Sequence, residues 1–287
     1  MKNLTKVILK SFFELRPKIL STILFIPFLY LMGWVLAQPL FYLNFDKENL
    51  SLIGTFFTLF LFIFLLPYWF KGKWNIKNTW EKLGINRNNI WINILHFSQG
   101  ILFSLILIII ILIPILKTNY VTWSGELTPS ILSQTFFYIL GLGLAEELVF
   151  RAWLFEELKL VYGIKISIIF QAFVYSFIHY ISDTSFLNII GLRLGWFFLG
   201  ILLSLIRVKD KGSLWRCIGI HGGLVGIWYF LNEVFIKISL KTPSYLVGPF
   251  NENLSNPLGS LCGIILIIIL CIYYGNKSRI IIFKSFK

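Results

Sequence analysis

Apolar residues run through this chain in long blocks, with polar residues confined to the gaps between them. Eight blocks stand out: Ile19 to Phe41, Leu50 to Phe70, Ile90 to Leu116, Pro129 to Leu158, Ile164 to Ile181, Phe186 to Ile206, Leu214 to Ile236 and Pro257 to Tyr274. A helix that crosses the hydrocarbon core of a bilayer needs about 20 mostly apolar residues. The pattern therefore predicts an all-α polytopic membrane protein with about eight transmembrane helices. The longest gaps, Lys71 to Asn89 and Lys237 to Asn256, are too short for a soluble domain, so residues 1–287 read as a single membrane domain. The first of these gaps, through WNIKNTWEKLGINRNNIW, predicts a basic, Trp-bearing interfacial helix. The first block is expected to be retained, because its apolar run is too long for a cleavable signal and no small-residue site follows before Asp46.

Composition fits a bilayer as the solvent. Hydrophobic residues make up 57% of the 287 and charged residues only 14%, against about 25% charged in an average soluble domain. A soluble domain of this size cannot hide that much apolar surface in one core. The formal charge is +13. In a membrane protein such an excess speaks first of orientation, and no nucleic-acid partner is expected. With the N-terminus in the cytoplasm, 21 of the 26 basic residues fall on the cytoplasmic side. Only Lys47, Lys117, Lys237 and Lys241 fall opposite, and Arg193 lies within a span. That bias predicts an even number of spans with both termini cytoplasmic. Cys217, Cys262 and Cys271 form no CxxC pair and read as small core hydrophobes.

Ionisable groups inside spans are costly, so each is a functional candidate. They concentrate in one set. The fourth block reads GLGLAEELVFRAWLFEEL, with Glu146 and Glu147 side by side and Arg151 following. On a helix Glu147 and Arg151 share a face at i,i+4, while Glu146 points about 100° away. Arg151 can then neutralise Glu147 and leave Glu146 free. The fifth block carries His179. The seventh carries His221 among Gly219, Gly222, Gly223 and Gly226. Those glycines make small-xxx-small pairs that admit a neighbouring helix closely. A carboxylate beside an imidazole can take a proton from water, and a second imidazole can stabilise an oxyanion. Glu146, His179 and His221 could equally ligate a divalent metal such as zinc, and the spacing leaves the two open. Arg193 is a further candidate partner for a carboxylate. Rise counted from the flanking charges does not put the three groups at one depth unless helices tilt or a loop dips inward.

At these residues the chain resembles the CPBP intramembrane proteases, the CAAX amino-terminal protease or Abi family. EELVFR matches the family's EExxxR through Glu146, Glu147 and Arg151. YSFIH matches FxxxH through His179, with Tyr175 in place of Phe. HGGLV matches HxxxN or HxxxD through His221, with Val225 where the Asn or Asp stands. The resemblance implies a protease-like core over 129–232. It also implies an endopeptidase in which Glu146 and His179 activate water, His221 serves the oxyanion, and Glu147 and Arg151 support them. The implied substrate is a membrane-associated peptide or protein, and the implied setting is multi-pass in the bilayer (the cell membrane in a prokaryote). Val225 offers no hydrogen bond. Asn232 lies too far along the helix to replace it, and Asn188 is a candidate substitute. The departure at Val225 motivates a second expectation, a family member with weak or no activity kept as a membrane adaptor or assembly factor. A small proton-coupled carrier is the weakest reading, since no inverted repeat is visible.

Overall fold

A computed structural model describes residues 19–43, 47–87, 89–123, 125–179, 185–251 and 254–284. It shows an all-α, multi-pass integral membrane protein with two small strand pairs. The chain gathers into two compact units, Met1–Lys82 and Leu83–Lys287.

In the first unit, α1 (Ile19–Ala37) leads through a 3₁₀ turn (Gln38–Leu43) into α2 (Lys47–Trp74). The two helices approach closely because small residues face each other: a Cβ on Gly33 would collide with Thr58 and Gly54. Phe25 stacks on Trp69 at 4.1 Å between ring centroids. α2 stops at Asn75, which is left-handed at φ 56°. The Ile76 N–H reaches back to the Phe70 carbonyl at 3.0 Å. Asn tolerates that conformation and closes helix ends this way. Only α3 (Thr79–Leu83) follows, ended by Gly84 at φ +87°. The expected interfacial helix is thus reduced to one short turn, because Asn75 and Gly84 break the backbone on either side of it.

The second unit begins with α4 (Ile90–Leu116), where Asn89 Oδ1 accepts from the Ile92 N–H at 3.1 Å. A three-residue strand β1 (Val121–Trp123) follows. Then α-helical Pro129–Phe136, π-helical Phe137–Leu142, α-helical Gly143–Glu147, π-helical Leu148–Leu154 and α-helical Phe155–Tyr162 run without a break. We label this run, 129–162, α5. Gly163 at φ +80° turns the chain into α6 (Ile164–Ile178). Next come α7 (Phe186–Lys209), α8 (Trp215–Val234), β2 (Ile236–Ile238), α9 (Ser244–Val247), β3 (Phe250–Asn251), β4 (Leu254–Ser255), a 3₁₀ turn (Pro257–Gly259) and α10 (Leu261–Lys284). β1 pairs antiparallel with β2, and β3 with β4.

α8 is the axis of this unit, and its glycines make it so. A Cβ on Gly219 would strike the Phe97 carbonyl of α4, and one on Gly222 would strike the Ile139 carbonyl of α5. The two small-residue pairs therefore serve two neighbours at once. α6 joins α7 through Gln171, whose amide donates to the Gly200 carbonyl at 2.9 Å and to Ser204 Oγ at 2.6 Å.

Among the described residues five helical stretches are long and apolar enough to cross a membrane: Ile19–Tyr42, Ile53–Trp74, Ile90–Leu116, Phe186–Lys209 and Leu261–Ser278. The other three expected spans fall short for physical reasons. α5 carries Glu146, Glu147, Arg151, Glu156, Glu157 and Lys159. α6 is 15 residues long, and residues 180–184 lie outside the described residues. α8 spends its length on glycine, His221 and Asn232. The helices that fail the apolar criterion include those that carry the charged set. Of the charges used to orient the chain, Lys2, Lys6, Lys10, Arg16, Lys18, Glu14, Asp46, Asp183, Glu252 and Lys287 lie outside the described residues.

Candidate active site

Glu146 and Glu147 occupy the short α-helical piece of α5 between its two π segments. A π turn inserts a residue and rotates the facing of the helix beyond it, and such turns gather at functional sites. Within this piece the adjacent carboxylates separate. Glu147 is fully buried, and its Oε1 lies 3.0 Å from Arg151 Nη1 and 2.8 Å from His221 Nδ1. Glu146 Oε2 lies 3.4 Å from His179 Nε2 and 3.6 Å from His221 Nε2. The expected division of labour is present in this geometry, with one addition. Glu147 is shared between Arg151 and His221, so it orients an imidazole as well as meeting a cation.

His179 does not sit within a helix. It caps the C-terminus of α6 in an extended conformation (φ −73°, ψ 128°). Its Nδ1 donates to the Tyr175 carbonyl at 2.9 Å, and its ring stacks on Trp196 of α7 at 4.5 Å. The Nδ1–H bond leaves Nε2 toward Glu146. Arg193, expected to meet a carboxylate, instead donates to the Ser176 and His179 carbonyls. It satisfies carbonyls that the end of α6 leaves without intrahelical partners.

Tyr175, the residue that departs from the second motif, meets His179, His221 and Arg151. Its hydroxyl lies 3.3 Å from His221 Nε2, and the Arg151 guanidinium lies 3.9 Å over its ring. Phe150 meets that ring edge-on at 5.1 Å. Glu146, Tyr175, His179 and His221 line a cavity of about 290 Å³. Val225 lines it too, as do Trp196 and Trp228.

A further wall comes from 254–258, far along the chain, and sequence reasoning missed it. It is held in place by Trp228 Nε1, which donates to the Ser255 carbonyl at 2.7 Å, and by the Asn256 N–H to the Pro249 carbonyl at 2.8 Å. A side chain on Gly195 of α7 would collide with the Leu258 carbonyl. That glycine, with Gly191 one turn before it, was the available signal, since small residues at this spacing in a span mark a close backbone approach. Asn232 bonds the Trp228 carbonyl at 2.8 Å and lines a separate cavity. Asn188 lies in the first turn of α7, its N–H on Ser185 Oγ at 3.3 Å, and is not among the residues lining the 290 Å³ cavity.

Residues 128–227 match the family model described as Type II CAAX prenyl endopeptidase Rce1-like. This segment is Rce1-like. The match takes in Glu146, Glu147, Arg151, His179 and His221 and is consistent with the CPBP resemblance. Residues 3–78 match a second family model, Domain of unknown function (DUF8676). No curated protein and no solved structure matches the chain.

The Rce1-like segment supplies the whole acid–base set, while 254–258 lies outside it. Among the described residues no three His, Cys, Asp or Glu are arranged to hold a metal ion. His221 Nδ1 is engaged with Glu147, and its Nε2 faces a tyrosine hydroxyl as well as Glu146. The zinc expectation for Glu146, His179 and His221 gains no support from this arrangement.

Proposed function

We propose that the protein is an intramembrane endopeptidase that hydrolyses a membrane-associated peptide or protein with a water activated by Glu146 and His179. One observation carries this reading: a carboxylate oxygen lies within 3.4 and 3.6 Å of two imidazoles on the wall of a cavity inside an Rce1-like segment. A water held between Glu146 and His179 gives a proton to the Glu146 carboxylate as its oxygen bonds to the scissile carbonyl carbon. The carbonyl π pair moves onto oxygen, beside His221 Nε2. The C–N bond then breaks, its electron pair stays on nitrogen, and the proton on Glu146 passes to that amine. Glu147, against the other ring nitrogen, balances the charge of His221 when the ring serves as donor to the anion. Trp196, Leu199, Leu224 and Trp228 give the cavity apolar walls that suit a hydrophobic substrate segment.

We take α5, α6 and α8 as spans alongside the five apolar helices, eight in all, with both termini cytoplasmic and residues 1–287 within the membrane. Short or polar helices are tolerated at membrane depth where they are buried in protein or line a cavity.

The experiment is proteolysis in liposomes, with a farnesylated C-terminal tetrapeptide substrate and a set of single-span hydrophobic peptides as probes. Mass spectrometry reads the products of the wild type, Glu146→Ala and His179→Ala. Equal cleavage by all three would sink the reading. Val225 supports a second reading, the adaptor, because an apolar residue lines the cavity where a donor is expected. Full complementation of a deletion strain by Glu146→Ala would favour it.

A further inference from the structure

Hydrolysis of an amide needs a donor aimed at the oxygen that becomes negative, and a second donor beside His221 is missing at position 225. The chain departs from the family motifs at two positions, Tyr175 and Val225. Both side chains line the same cavity. One change adds a hydroxyl and the other removes a carboxamide. The added hydroxyl lies 3.3 Å from His221 Nε2, on the imidazole that faces Glu146. We infer that the Tyr175 hydroxyl is a catalytic residue, the oxyanion donor that stands in for the side chain absent at 225. The inference rests on the endopeptidase reading.

The surroundings of Tyr175 suit that task. Its side chain is buried, and its ring is fixed by Phe150 at 5.1 Å and by the Arg151 guanidinium at 3.9 Å. A donor held this way needs no reorganisation when charge develops. His221 is bonded at Nδ1 to Glu147, which leaves Nε2 beside the Tyr175 hydroxyl. The two groups sit side by side, and both donate to the substrate oxygen as it becomes negative. Arg151 sits over the tyrosine ring and offsets the nearby carboxylates. Ser255 is the competing donor. It lines the cavity, is buried, and its hydroxyl has no hydrogen-bond partner among the described residues. It lies outside the Rce1-like segment and has no contact with either histidine among the bonds described.

The test compares Tyr175→Phe, Val225→Asn, the double variant and Ser255→Ala in liposomes, on whichever of the probe peptides the wild type cleaves fastest. Thermal melting in detergent confirms that each variant folds. Tyr175→Phe lowers kcat by about a hundredfold, the usual loss for one oxyanion donor, with KM little changed. Adding Val225→Asn to Tyr175→Phe restores kcat to within about tenfold of wild type. A tyrosine that only orients His221 would not be rescued in this way. Cleavage that depends on Glu146 but not on the Tyr175 hydroxyl overturns the inference and leaves the endopeptidase reading standing. So does a kcat loss confined to Ser255→Ala. Cleavage indifferent to Glu146 overturns both.

Discussion

His221 Nδ1 lies 2.8 Å from Glu147 Oε1, and that same oxygen lies 3.0 Å from Arg151. One buried carboxylate thus serves two partners from two directions. It balances a guanidinium one helical turn away on α5 and fixes the ring of a histidine on α8. The histidine's other nitrogen is thereby aimed at Glu146 and Tyr175. The neighbouring carboxylate, Glu146 at the preceding position, is left on the cavity wall. Two adjacent glutamates have different surroundings because both lie in the α-helical piece of α5, where successive side chains point about 100° apart.

Loss of Glu147 should therefore be costly in stability. Glu147→Ala leaves a fully buried Arg151 without its carboxylate, and breaking a buried pair in this way costs about 3–5 kcal/mol. We expect a lower melting temperature in detergent and poor recovery of folded protein. Glu147→Gln keeps an acceptor for His221 but removes the charge. It should recover part of the stability while lowering turnover. Equal melting of wild type and Glu147→Ala would contradict the shared role.

Arg193 controls His179 through the backbone. Its guanidinium donates to the Ser176 and His179 carbonyls at the end of α6. Arg193→Ala leaves those carbonyls without the donor, at about 1–3 kcal/mol for a buried unsatisfied group. The extended turn that presents His179 should loosen. The expected result is a kcat loss larger than that of Trp196→Leu, which removes only the stacking partner. Lysine at 193 should rescue part of it, because a single ammonium replaces one of two carbonyl contacts. Unchanged kcat in Arg193→Ala would show that the Tyr175 bond and the Trp196 stack suffice to hold His179.

Much of this set was legible in the sequence because a charge in an apolar block must be there for a reason. Glu146, Glu147, Arg151, His179 and His221 announce themselves by cost alone, and the glycines around His221 announce a close neighbour. The partner of Glu147 across the fold was not legible, since no spacing links positions 147 and 221. The π segments were not either. Their sequence looks like any apolar helix, and tertiary contacts decide where an extra residue is accommodated. That His179 caps the C-terminus of α6 was not legible either, since its block runs on apolar to Ile181. The wall at 254–258 reads as an ordinary loop. Only its landing on Gly195 and Trp228 makes it part of the cavity.

The orientation drawn from charge is directly testable. Single cysteines placed at Lys77 and Lys211, in a variant without Cys217, Cys262 and Cys271, should react with a membrane-impermeant maleimide only after the cells are opened. Cysteines at Lys117 and Lys241 should react in intact cells. The basis is the bias of basic residues to the cytoplasmic side. The same labelling separates eight spans from five, because the five apolar helices put only two crossings between Lys77 and Lys241, on one side together, whereas eight spans put five crossings between them. Labelling at Lys211 in intact cells would overturn the topology.

Gly222 sets how closely α5 and α8 can meet. A Cβ there would collide with the backbone carbonyl of Ile139, in the first π segment of α5. A backbone atom cannot swing aside as a side chain can, so Gly222→Ala must separate the helices. Overpacking of this kind costs about 1–3 kcal/mol. The damage to function should be greater than that figure suggests. Glu146 and Glu147 lie beyond Ile139 on the same helix, α5, and His221 is the residue before Gly222. A shift of a few tenths of an ångström lengthens both the 2.8 Å bond to Glu147 and the 3.6 Å approach to Glu146. Gly219→Ala is the matched control. It collides with the Phe97 carbonyl of α4, on another face of α8, and stresses packing without pushing α5 away. Melting should fall by similar amounts in the two variants, while peptide cleavage should fall much further in Gly222→Ala. Equal losses of cleavage would mean that α8 moves as a rigid body and that the separation of α5 from α8 is not what sets the geometry around Glu146.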